Sequence, residues 1–111
     1  MDRRKTKVDL NPILLKIIAD DGPVYGLEIA REVRARTDGE LELGPGSLYP
    51  ALHRLEKQGW VEVESRVSPT GSGQVSYYTI TDQGRGALEV EARETIRFLD
   101  KIKAVFKYGL F

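Results

Sequence analysis

The sequence of 111 residues predicts an α+β fold that is mostly α, and three observations carry that prediction. Apolar residues recur at three- and four-residue spacing in four separate segments, the pattern of amphipathic helices. Residues 60–66 alternate and residues 75–80 concentrate β-formers, with a Gly/Ser-rich turn between them, which is the pattern of a hairpin. The last helical segment is long: at 1.5 Å per residue, Asp82 to Tyr108 would extend about 40 Å.

The first helix is expected over Asn11 to Asp20, with Asn11 as its cap and Pro12 at the first helical position. Ile13, Leu14, Ile17 and Ile18 share one face, and Asp21-Gly22-Pro23 ends the helix. A second helix follows with Leu27, Ala30 and Val33 as its apolar stripe and Ile29 beside them, broken by Thr37-Asp38-Gly39. Leu41-Glu42-Leu43 alternates and fits a very short strand. The third helix lies within Gly46 to Gln58, with Leu48, Leu52 and Leu55 as core stripe, Ala51 at its edge and Gly59 as C-terminal stop. With Ser47 as cap, Pro50 falls at the third helical position, where a missing N–H is harmless; the alternative is a distorted helix that starts a turn earlier. The hairpin comes next, and Thr81 then caps the last helix.

Composition excludes several classes of function. Hydrophobic residues make up 41% and charged residues 31%, as in ordinary globular proteins. There is no cysteine and one histidine, His53, which removes thiolate chemistry, disulfides and His-rich metal sites. No glycine-rich phosphate loop stands between strand and helix, so neither enzyme activity nor a cofactor is expected. No apolar run reaches the roughly 20 residues of a membrane span, and the basic start lacks the apolar region of a secretory signal, so the expected compartment is the cytoplasm. Lys plus Arg and Asp plus Glu are both 17, so the net charge advertises no polyanionic partner.

Three helices followed by a two-stranded wing are the elements of a winged helix-turn-helix, here with a long C-terminal helix suited to dimerisation. The third helix carries Ser47, Tyr49, His53, Arg54 and Lys57 opposite its core stripe. A helix of that kind fits the major groove of DNA, which is about 12 Å wide. The competing reading is a merely solvated helix face.

The stretch from Gly46 to Val61, GSLYPALHRLEKQGWV, resembles the recognition helix of the PadR family of transcriptional regulators. Gly22-Pro23-Val24-Tyr25-Gly26-Leu27-Glu28-Ile29 is similar to the family's Tyr-Gly lead-in to the second helix. Tyr77-Tyr78-Thr79-Ile80-Thr81-Asp82-Gln83-Gly84 is similar to its exit from the wing. The three matches stand in family order across residues 12 to 86, and the single helix after the wing resembles the short subgroup, which dimerises through it.

The resemblance implies a homodimeric repressor of a palindromic operator on double-stranded DNA, with room for a small aromatic or apolar effector. It implies that Tyr25, Ser47, Tyr49 and Pro50 face DNA, with His53 and Arg54 farther along the helix. The competing reading for both tyrosines is core packing with a wet hydroxyl. The sequence departs from the family at the wing, because residues 67–81 contain no charge, and neither do residues 43–53. Phosphate neutralisation normally supplies much of DNA affinity. The candidate sources are a basic arm with Arg3, Arg4, Lys5 and Lys7, together with Lys57 and Arg66. The arm's competing reading is a free tail.

The expected organisation is thus an arm over residues 1–11, a DNA-binding domain over 12–81 and a dimerisation helix over 82–111. On that helix Leu88, Ala92, Ile96, Leu99, Ile102 and Phe106 form a seam near coiled-coil spacing, widened by Phe98 and Val105. The rival function is a winged-helix module whose neutral wing and third helix meet a protein instead of DNA.

Overall fold

The computed structural model describes residues 9–107 and 109. Its elements run α1 (Leu10–Asp21), β1 (Val24–Tyr25), α2 (Gly26–Arg36), α3 (Pro45–Lys57), β2 (Val61–Val67), β3 (Gln74–Ile80) and α4 (Asp82–Val105). The strands form one antiparallel sheet in the order β1-β3-β2. This is the expected mostly helical winged-helix arrangement.

The start of α1 differs from expectation. Asp9, not Asn11, is the cap, and its carboxylate accepts the Asn11 N–H at 2.9 Å. A carboxylate there also faces the positive end of the helix dipole. Pro12 therefore sits at the third helical position, still inside the first turn where no N–H has an intrahelical partner. Leu14, Leu15, Ile17 and Ile18 are buried, while Ile13 is only half-buried. Arg36 at the end of α2 ties α2 to α1 by pairing with Asp20 at 2.9 Å and Asp21 at 3.4 Å.

Two further expectations are corrected. Residues 41–43 are not a strand: the Leu41 amide donates to the Thr37 hydroxyl at 3.0 Å, and both leucines pack against the core from a loop. The short strand is β1, whose Val24 and Tyr25 pair with Tyr78 and Tyr77 on the free edge of β3. Leu27 is not core either, being 52% exposed. The buried side of α2 is Gly26, Ile29 and Val33, because α3 packs directly on the Gly26 backbone.

The third helix takes the earlier of its two starts, with Gly44 as N-cap and Pro45 at the first position. Ser47 is therefore inside the first turn and is not the cap. Pro50 lies in the helix interior and has no N–H for the Gly46 carbonyl four residues back. Both residues are exposed, so water can satisfy that carbonyl. Leu48, Ala51, Leu52 and Leu55 all reach the core, and Gly59 leaves the helix at φ +80°.

Thr81 locks the junction of wing and last helix. Its hydroxyl accepts the Gly84 N–H at 2.9 Å and donates to the Gly59 carbonyl at 2.7 Å. Gly84 sits so close that a Cβ there would collide with the Trp60 carbonyl oxygen. Trp60 itself packs half-buried against the core. The last helix ends at Val105, with Phe106 as its cap, short of the expected Tyr108, which lies outside the described residues. Its beginning rests on the core through Ala87 and Leu88, whereas Ile96, Phe98, Leu99, Val105 and Phe106 are half exposed or more.

Candidate nucleic-acid interface

The outward face of α3 follows from its wheel. With Leu48, Ala51, Leu52 and Leu55 turned inward, Tyr49 lies on one margin and Ser47 and Arg54 on the other. Pro50, His53 and Lys57 lie between the margins, and all six of these residues are exposed. His53 Nδ1 is 4.0 Å from the Glu56 carboxylate.

The Tyr49 margin meets α2. A Cβ on Gly26 would lie 2.7 Å from the Tyr49 hydroxyl oxygen, so the ring rests on the Gly26 backbone. Only glycine admits that approach. Gly26 at the start of α2 and Tyr49 in α3 are thus two halves of one contact. Tyr49 is 47% exposed and is not a core residue. Behind it stands Tyr78, buried, its phenol pushed above the usual range by burial first and then by Tyr49 and Glu56. The other margin meets α1: Asp9, Leu10 and Asn11 share a groove of about 520 Å³ with Gly46, Ser47, Pro50 and Arg54. Arg3, Arg4, Lys5 and Lys7 lie outside the described residues; Asp9, two positions after Lys7 in the sequence, belongs to this groove.

The wing places Tyr25 and Arg66 on the outer face of the sheet. Tyr25 opposes Tyr77, with ring centroids 5.4 Å apart. The Arg66 guanidinium stacks over Tyr77 at 5.0 Å and pairs with Glu64 at 3.1 Å. Sequence reasoning does not make Tyr77 a site residue, because alternation gives a residue's face but not its neighbours across the sheet. At the tip, the hydroxyls of Ser68, Thr70 and Ser72 bond to one another at 3.0 and 2.7 Å, which orders a hairpin without charge.

Between α1, the end of α2 and α4 lies an open groove of about 590 Å³. Pro12, Ile13, Ile17, Leu88, Ala92 and Ile96 form its apolar lining. Among the described residues no helix is long and apolar enough to cross a membrane, and no cluster of His, Asp and Glu could hold a metal ion.

A polar helix face beside a two-stranded wing, with β1 completing the sheet, is the architecture of a winged-helix DNA-binding domain. The family model for the transcriptional regulator PadR-like family matches residues 14–90. The chain belongs to that family, whose members are transcriptional regulators and not enzymes. It is 36% identical over 75 residues to the transcriptional regulator Rv3488 of Mycobacterium tuberculosis, covering 68% of this chain and 65% of that one. Among solved structures it resembles a PadR family regulator from hypervirulent Clostridium difficile R20291, with 31% identity and a TM-score of 0.69, over 88% of this chain and 98% of that one. A transcriptional regulator from Clostridium thermocellum has 27% identity and a TM-score of 0.71, over 89% and 91% of the two chains.

Proposed function

We propose that this regulator acts as a homodimeric repressor of a palindromic operator, reading the major groove with Ser47, Tyr49, Pro50 and His53. Arg54, Lys57, Arg66 and Tyr25 take the flanking phosphates. The observation that carries the reading is the outward face of α3, exposed from Tyr49 to Arg54 over a fully buried leucine stripe. Such a helix, about 10–12 Å across, fills a major groove.

The basic arm joins the fold beside Ser47 and Arg54, which favours its use on DNA. The expected boundary at residue 11 moves back, because Asp9 caps α1 and Leu10 and Asn11 are helical, so a DNA-binding arm precedes Asp9 and the domain runs on to residue 81. The last helix, Asp82–Val105, pairs with its counterpart through Leu88, Ala92, Ile96, Leu99 and Ile102, with the capping Phe106 at its end. Its exposed apolar residues support that pairing, since an uncovered strip of this size is costly in water. The groove beside Ile13 and Ile96 suits the partner's helix and leaves an apolar niche for an effector that relieves repression. The protein works in the cytoplasm on this reading.

Fluorescence anisotropy on the DNA upstream of its own gene tests the reading. Wild type binds specifically, and Tyr49→Ala weakens binding by about 1–3 kcal/mol with little change in melting temperature. Absence of specific binding, with capture of a protein partner through the same face, would favour the protein-interaction module. Deleting residues 1–7 flattens the dependence of log K on log salt by about 0.9 for each phosphate that the arm neutralises. An unchanged slope identifies the arm as a free tail.

A further inference from the structure

We propose that Arg66, Tyr77 and Tyr25 form a seat for one phosphate of the DNA backbone, with Glu64 as the counter-ion that the phosphate displaces. The proposal rests on the DNA-binding reading and names a part of that site.

The three side chains come from three adjacent strands. Tyr25 of β1 opposes Tyr77 of β3, Tyr77 opposes Glu64 of β2, and Arg66 is the diagonal neighbour two residues on. The outer face of the sheet therefore carries a continuous row, guanidinium over phenol at 5.0 Å and phenol beside phenol at 5.4 Å. Stacking on an aromatic face orders a guanidinium without using its N–H donors. Glu64 engages one of its terminal nitrogens, Nη2, at 3.1 Å. Arginine presents five N–H donors, and phenol hydroxyls can add to them.

The pair is easily opened. Side-chain exposure is 44% for Arg66 and 68% for Glu64, so the pairing is a solvated one of small net strength. A backbone phosphate offers the guanidinium the bidentate geometry that a single contact to Glu64 does not. The row is also placed for DNA. Tyr25 leads directly into Gly26, on which Tyr49 of the reading helix rests. The seat thus begins one residue before the glycine on which Tyr49 of the reading helix rests. With residues 43–53 and 67–81 uncharged, Arg66 is the cation nearest the wing tip along the hairpin, and the row gives a phosphate something to meet there.

Glu64 makes the proposal distinctive, because removing an acidic residue is expected to strengthen binding beyond a general gain in charge. The test uses the full chain, labelled upstream DNA and a salt series for wild type, Glu64→Gln, Arg66→Gln, Arg66→Lys and Tyr77→Phe. As an equally acidic neighbour on the same strand, Glu62→Gln controls for net charge. Arg66→Gln is expected to flatten the salt slope by about 2 for a dimer, at about 0.9 per phosphate. Arg66→Lys restores the slope but not the full affinity. Tyr77→Phe lowers affinity several-fold with the slope unchanged. Glu64→Gln tightens binding several-fold more than Glu62→Gln. Thermal melts identify any variant that fails to fold, and the remaining variants then decide. A wild-type slope in Arg66→Gln, or equal gains from the two glutamate variants, overturns the seat while leaving the DNA-binding reading intact. Failure of wild type to bind DNA overturns both.

Discussion

Replacing Gly26 with alanine separates the contact that positions the reading helix from the stability of the fold. The new Cβ would stand 2.7 Å from Tyr49 Cε1 and its hydroxyl oxygen and 3.0 Å from Cζ. Comfortable contact between such atoms is about 3.5–4.0 Å, so the ring must retreat by roughly 1 Å. Tyr49 is half exposed and can swing outward into solvent. Meanwhile, alanine restricts the unfolded chain, a gain of about 0.4–1 kcal/mol that offsets the weakened packing. The melting temperature, followed by circular dichroism, should therefore move by only a few degrees, at about 4–8 °C per kcal/mol for a domain of this size. DNA affinity should fall as though Tyr49 had been removed, by about 1–3 kcal/mol. Because the two residues act through one contact, Tyr49→Ala added to Gly26→Ala should cost little more. Wild-type affinity in Gly26→Ala, or full additivity in the double variant, would refute the reasoning.

Two glycines of α4 should respond in opposite directions. Gly84→Ala meets the Trp60 carbonyl, which is already held by the Thr81 N–H at 3.0 Å, and should lower stability by about 1–3 kcal/mol. Gly86→Ala meets nothing and should raise stability by up to about 1 kcal/mol through helix propensity; equal melting temperatures would sink the comparison. Burial first, and then Asp9, raise the Glu91 carboxyl above its ordinary range against the lowering pull of a hydrogen bond with Asn11, and its Oε1 has no hydrogen-bond partner. A raised carboxyl favours the fold fully below its unfolded value near 4.5, and that contribution is lost as pH rises through the folded value. Glu91→Gln should therefore melt higher than wild type at pH 7 and converge with it near pH 4, whereas a constant gap across that range contradicts the assignment. In the proposed dimer, Leu99→Asp buries a carboxylate at a cost of several kcal/mol, so sedimentation should show monomers or unfolded chain. A wild type that is already monomeric at tens of micromolar defeats that interface.

Local chemistry made much of this fold legible from residues alone. The leucine spacing of α3, the Gly59 stop, the Thr81 cap and the alternation of β2 each depend on neighbours within a few positions. They therefore survive without knowledge of the rest of the chain. The outward positions of α3 were readable for the same reason, since a helix that buries Leu48, Leu52 and Leu55 must expose Pro50, His53 and Lys57. What the tertiary structure decided are pairings between segments distant in sequence. Leu27 reads as core on spacing but is exposed, because α3 lies on Gly26 and fixes the rotation of α2. Leu41-Glu42-Leu43 alternates and Val24-Tyr25 is too short to show any period, yet only the latter reaches an open strand edge, that of β3. Tyr77 and Arg66 became a row with Tyr25 only when the register of three strands was set. Periodicity assigns each residue a face, but which other segment covers that face depends on packing across the whole molecule.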